Sequence, residues 1–175
     1  MIRGGIGGGK TVTGLAFEER VNLLARIADI PGYSVDGDDV YFQGEKIATS
    51  LQKHKLYSFL EFNGIDYRDY LSKKLLPDDA LLAPSKSTLY VIEMKFQAVA
   101  GSVDEKLQTC DFKKKHYTKL MSPLGIDVEY IYILSEWFNS PSYDDVKNYI
   151  LSVGCKYYIE SLPFAELGFP SVEIE

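Results

Sequence analysis

Two short apolar runs, Leu89–Met94 and Val128–Leu134, do most to limit what this chain can become. Each has the length of a strand and is rich in β-branched and aromatic residues, which marks a strand inside a sheet. A third run, Ala80–Ala83, precedes the first across the turn Pro84–Ser87, so these two strands form a hairpin. Between the two long runs, Ser102-Val103-Asp104-Glu105 reads as a capping box. Val103, Leu107, Cys110, Tyr117 and Met121 then recur on one side, so a helix is expected from just past the strand to about Leu120.

The flanking segments extend the pattern. Thr13 is a plausible N-cap for a first helix reaching about Ala28, with Leu15, Phe17, Val21, Leu24 and Ala28 as its stripe and Pro31-Gly32 as its stop. Turns at Asp36-Gly37 and Gln43-Gly44 predict a meander with strands around Asp39–Phe42 and Lys46–Ala48. Leu51, Leu56, Phe59 and Leu60 predict a second helix, ended by Asn63-Gly64. Tyr143–Val153 reads as another helix and Cys155–Ile159 as a short last strand. The expected class is α/β, a mixed central sheet flanked by helices. Residues 1–12 read as a flexible glycine-rich arm, and 13–175 as one domain, a length that one core can serve.

Composition excludes some classes. At 46% hydrophobic and 13% aromatic the chain is globular, and no apolar run approaches the roughly 20 residues of a membrane helix. No apolar stretch follows Arg3, so no signal peptide is expected. Cys110 and Cys155 form neither a metal-ligand pair nor a disulfide framework, which fits reduced thiols and a cytoplasmic location. The net charge of −6 argues mildly against nucleic acid. Clustered lysines (Lys73 and Lys74; Lys113, Lys114, Lys115 and Lys119) and the carboxylates a metal site requires leave the question open.

The chemistry concentrates at Pro77-Asp78-Asp79 and Glu93-Met94-Lys95-Phe96-Gln97. In the expected hairpin the start of the first strand lies beside the end of the second, which brings Asp78 towards Glu93 and Lys95. Period-2 alternation puts Glu93 and Lys95 on one face. Two neighbouring carboxylates repel and call for a cation, and all-oxygen ligands with room for water suit Mg²⁺. Such a metal polarises a phosphate oxygen and acidifies bound water, while Lys95 steadies the hydroxide or the developing charge. Strand register decides whether Asp78 or Asp79 faces the metal.

Pro77-Asp78…Glu93-Met94-Lys95 resembles the signature of the PD-(D/E)xK nucleases. Thr13-Gly14-Leu15-Ala16-Phe17-Glu18, and Glu93–Gln97 with Gly101–Thr109, look like segments of small type II restriction endonucleases of that group. The resemblance implies a Mg²⁺-dependent deoxyribonuclease, with Mn²⁺ able to substitute, that leaves 5′-phosphate and 3′-hydroxyl ends. It places metal ligation at Asp78 and Glu93 and the catalytic lysine at Lys95, with Glu18 (or Glu19) and Gln97 supporting them. Double-stranded DNA is the implied substrate, a homodimer the implied assembly, and a methyltransferase acting separately a possible partner. Ser102, Lys106, Gln108, Thr109, Lys113 and Lys114 are candidates for contacts with DNA.

A DNA-binding module with a dead site is a further possibility, which the intact Asp78, Glu93 and Lys95 set argues against, and two alternatives stand beside this reading. A Holliday-junction resolvase or repair nuclease shares the chemistry, although such enzymes are more naturally basic. From another class, Gly4–Thr11 satisfies G-x-x-x-x-G-K-[ST], the pattern of a phosphate-cradling loop. Only three residues precede it, too few for the strand such a loop requires, so a flexible arm is favoured. His54 and His116 have no partner pattern, Asp36, Asp38 and Asp39 read as a turn, and Trp137 and Phe138 read as core or dimer surface.

Overall fold

The computed structural model describes residues 10–12, 14–16, 22–98 and 103–174. In chain order the first half runs β1 (Lys10–Val12), β2 (Gly14–Ala16), α1 (Leu23–Ala28), β3 (Tyr33–Asp36), β4 (Asp39–Phe42), β5 (Glu45–Ser50), α2 (His54–Phe62), β6 (Asp79–Ala83) and β7 (Thr88–Lys95). The second half runs α3 (Val103–Leu107), α4 (Cys110–Met121), β8 (Asp127–Leu134), α5 (Asp144–Ser152), β9 (Lys156–Ile159), β10 (Ser161–Pro163), α6 (Phe164–Leu167) and β11 (Val172–Ile174).

Strands β3 to β9 form one seven-stranded sheet in sequence order, antiparallel from β3 to β7 and parallel from β7 to β9. This is the mixed α/β architecture expected from the apolar runs. The Gln43-Gly44 turn joins β4 to β5 with positive φ at both residues, 50° and 85°, as a tight hairpin turn requires. Two apolar layers cover the sheet. Leu56, Tyr57 and Leu60 of α2, Tyr117, Leu120 and Met121 of α4 and Ile150 of α5 pack on one face, against Ala80, Leu89, Val91, Tyr130 and Tyr132. Leu23 and Ile27 of α1 and Phe164 and Leu167 of α6 pack on the other, against Leu81, Tyr90, Ile92, Ile131 and Ile133.

Three expectations need correction. The first helix begins at Leu23, not near Thr13: Asn22 caps it, its side-chain oxygen accepting from Ala25 N–H at 2.7 Å. Gly14–Ala16 instead pairs with β10, where a glycine is needed, because a Cβ at Gly14 would stand 2.8 Å from the Leu162 carbonyl oxygen. The helix expected through to Leu120 is broken between α3 and α4, where the Thr109 hydroxyl donates to the Lys106 carbonyl at 2.8 Å and competes with the helical ladder. The end of the expected flexible arm, Lys10–Val12, is a strand paired with β11, and residues 1–9 lie outside the described residues.

Candidate active site

Register settles which aspartate shares a sheet face with Glu93. Asp79 pairs with Ile92 and Ala80 with Val91 across β6 and β7, and directly opposed residues share a face. Asp79 therefore points to the α1 side with Ile92, and alternation turns Asp78 to the α4 side with Glu93. Asp78 and Glu93 both line one small cavity of about 40 Å³, together with Leu75, Lys113, Tyr117 and Tyr130. The approach to it is fixed by backbone bonds: Lys53 N–H donates to the Pro77 carbonyl at 2.7 Å and Leu51 N–H to that of Ala80 at 2.8 Å.

Glu93 sits near the carboxyl end of β7, where the strand runs parallel to β8 and opposes Tyr132. Only 10% of its side chain is exposed, and three donors meet it. Lys113 Nζ, from α4, donates to both carboxylate oxygens at 3.0 and 2.7 Å. Lys95, two residues along the same strand and on the same face, forms an ion pair with Glu93. The Tyr130 hydroxyl, from β8, donates to Glu93 as well. Burial pushes the Glu93 carboxyl pKa up, but the hydrogen bonds from Lys113, Lys95 and Tyr130 together outweigh it and hold the group below its ordinary value. Burial, with the charge of Glu93 adding to it, keeps the Tyr130 phenol protonated.

Asp79, on the opposite face, is buried and its pKa is pushed up to about 6, first by burial and then by the negative charge of Asp78. The two aspartates thus differ in kind: Asp78 shares a polar cavity with Glu93 and a lysine, whereas Asp79 is desolvated beside apolar packing.

The other expected residues are placed as follows. Gln97 lies just past β7; its N–H donates to the Ser135 hydroxyl at 3.1 Å, which donates back to the Gln97 carbonyl at 3.2 Å. Its side-chain amide is buried with no hydrogen-bond partner among the described residues. Lys106, Gln108 and Thr109 are exposed around the break between α3 and α4. Lys114 is turned away from the cavity and donates to the Gly154 carbonyl at 2.5 Å. Glu18, Glu19 and Ser102 lie outside the described residues.

The donor set fits a hard divalent cation. Asp78 and Glu93 both line one cavity, and Mg²⁺ is content with one or two carboxylates and several waters. Among the described residues no group of three or more His, Cys, Asp or Glu gathers, so water would complete the coordination. Chemically, the arrangement joins oxygen ligands to two ammonium groups at the carboxyl end of parallel strands, where open α/β sheets hold their ligands.

Lys113, Tyr117 and Tyr130 were not assigned to this centre from the sequence. A signal for Lys113 existed. The inner stripe Leu107, Cys110, Tyr117, Met121 skips one turn, and Lys113 fills the gap on the core-facing side.

The described residues do not form the phosphate-cradling loop. That loop needs a helix leaving directly after its Lys-Thr pair, but Lys10 and Thr11 lie within β1 and the first described helix starts at Leu23. Both cysteines are buried and unpaired, and no described helix is long and apolar enough to cross a membrane. No protein-family model, no curated protein and no solved structure matches the chain.

Proposed function

We propose that the protein is a metal-dependent DNA endonuclease, and within that class a sequence-specific restriction enzyme that acts on double-stranded DNA. The observation that carries the reading is the shared cavity. Asp78 and Glu93 line it from adjacent strands, while Lys95 and Lys113 bring ammonium groups to the same carboxylate. A structural ion pair needs one cation for one carboxylate, but here two lysines converge on Glu93 and a second carboxylate, Asp78, lines the same cavity. Such crowding of opposite charges under partial burial is typical of reactive centres.

Asp78 and Glu93 would hold Mg²⁺ or Mn²⁺, which when bound would polarise a phosphate oxygen and acidify a coordinated water. Lys95, at the end of β7 and paired with Glu93, keeps 20% of its side chain exposed and would steady the attacking hydroxide or the charge growing on phosphate. Tyr130 holds Glu93 in orientation from below. Hydrolysis would leave 5′-phosphate and 3′-hydroxyl ends. A two-fold DNA site would call for a homodimer with one such centre per strand, and a separate methyltransferase would protect host DNA. The acidic net charge of −6 favours this reading over a junction resolvase or repair nuclease.

Plasmid cleavage with Mg²⁺ tests it, comparing wild type with Glu93→Ala, Lys95→Ala and an EDTA control. Discrete fragments from the wild type alone are expected. Nicking or smearing with the same dependence would move the reading to a repair or structure-specific nuclease. No cleavage of plasmid or branched DNA with any divalent metal would sink it.

A further inference from the structure

Lys113 is the least ordinary member of the cluster. It belongs to the inward stripe of α4, between Cys110 and Tyr117, where a helix normally places apolar residues. Its ammonium spans both oxygens of Glu93, and Lys113 lines the same cavity as Asp78. Lys95 also pairs with Glu93 but does not line that cavity. Lys113 thus already occupies both carboxylate oxygens that a cation bound to Glu93 would need.

We infer that Lys113 is a tethered counter-ion that occupies the cation site of the resting protein and must be displaced before a divalent ion can settle on Glu93. This rests on the nuclease reading and deepens it. A carboxylate oxygen bridged by an ammonium has few lone pairs left for a metal, and the two cations repel each other at this range. Displacement has a natural trigger. A backbone phosphate entering the cavity mouth offers Lys113 a new anionic partner. Nucleic acid and metal therefore bind with positive coupling, each raising the affinity of the other. The free protein would hold Mg²⁺ weakly and keep its centre unarmed until substrate arrives.

The test is calorimetric titration of Mg²⁺, and separately Mn²⁺, into the full-length protein without DNA. Lys113→Met and Lys113→Gln should each bind roughly tenfold more tightly than wild type, the change expected when one charge-assisted hydrogen bond stops competing. Lys115→Met alters net charge equally, but its ammonium pairs with Asp111 at 2.8 Å, so it should leave the affinity unchanged. A wild-type readout guards against misfolded variants: reductive methylation of Lys113, followed by peptide mass spectrometry, should speed up when Mg²⁺ is added. Unchanged or weaker binding by both Lys113 variants, or methylation indifferent to bound Mg²⁺, would overturn the inference and leave the nuclease reading standing. Failure of wild type and variants alike to bind either ion would overturn both.

Discussion

Replacing Glu93 by Gln distinguishes two opposite views of the site's electrostatics. If repulsion between Asp78 and Glu93 dominated the metal-free protein, removing one charge would stabilise it. The geometry argues the other way. Glu93 receives Lys113 on both oxygens, Lys95 and the buried Tyr130 hydroxyl, and its pKa is held below the ordinary value despite burial. Glutamine can still accept a hydrogen bond, but it leaves two ammonium groups facing each other without an anion. Breaking a fully buried pair costs about 3–5 kcal/mol. The two lysine side chains keep 20% and 24% of their surface exposed, and water will screen part of that loss. A destabilisation of about 2 kcal/mol is expected, which for a domain of this size lowers Tm by roughly 4–8 °C. Urea unfolding at pH 7 in EDTA measures it, with m unchanged between wild type and variant. A double-mutant cycle with Lys113→Met should return most of that energy as coupling. A Glu93→Gln protein as stable as wild type, or more stable, would refute the account of Glu93 as a carboxylate neutralised by lysines.

Two further predictions concern the frame around the site. Gly14→Ala should destabilise by about 1–3 kcal/mol, because the added carbon would meet the Leu162 oxygen at 2.8 Å and Pro163 Cα at 3.1 Å, both backbone atoms that cannot swing away; thermal denaturation reads this directly. Glu166→Gln should weaken the protein by less than about 1 kcal/mol at pH 7, since the Lys156–Glu166 pair at 3.0 Å is partly exposed. The hydrogen bond from Lys156, opposed by burial and aided by Tyr158, holds the Glu166 carboxyl below its ordinary 4.5. A depressed carboxyl stabilises above its unfolded pKa and loses that contribution as pH falls through the folded value. Wild type and variant should therefore converge in stability towards pH 3, and a difference that persists there would contradict the assignment.

Much of this was readable in advance, and for identifiable reasons. The runs Ala80–Ala83, Leu89–Met94 and Val128–Leu134 are all strands of the central sheet, because short β-branched and aromatic segments have few other stable uses. The Gln43-Gly44 turn was legible because positive φ at two successive residues selects such pairs. The pairing of Glu93 with Lys95 follows from strand alternation alone. What the sequence left open depended on partners distant in the chain. Asp78 and Asp79 were equivalent until the pairing of Asp79 with Ile92 fixed the register. Gly14–Ala16 looked helical because Leu15 fits either period, and only β10, about 145 residues later, makes it a strand. Lys113 read as one of three consecutive lysines fanning around a helix and as a candidate for DNA contact, although Lys113, Lys114 and Lys115 in fact turn to Glu93, the Gly154 carbonyl and Asp111. Tyr130 was hidden within an apolar strand whose hydroxyls needed partners that only the folded sheet supplies.

The most direct test of the central claim compares two neighbours. Single-turnover cleavage of plasmid DNA in saturating Mg²⁺ should be measured for Asp78→Asn and Asp79→Asn side by side. The account predicts that Asp78→Asn lowers the rate by about a thousandfold or more, as loss of a metal-holding carboxylate should, while Asp79→Asn stays within roughly tenfold of wild type. Equal losses, or a loss confined to Asp79→Asn, would contradict the placement of Asp78 with Glu93 as the reactive centre.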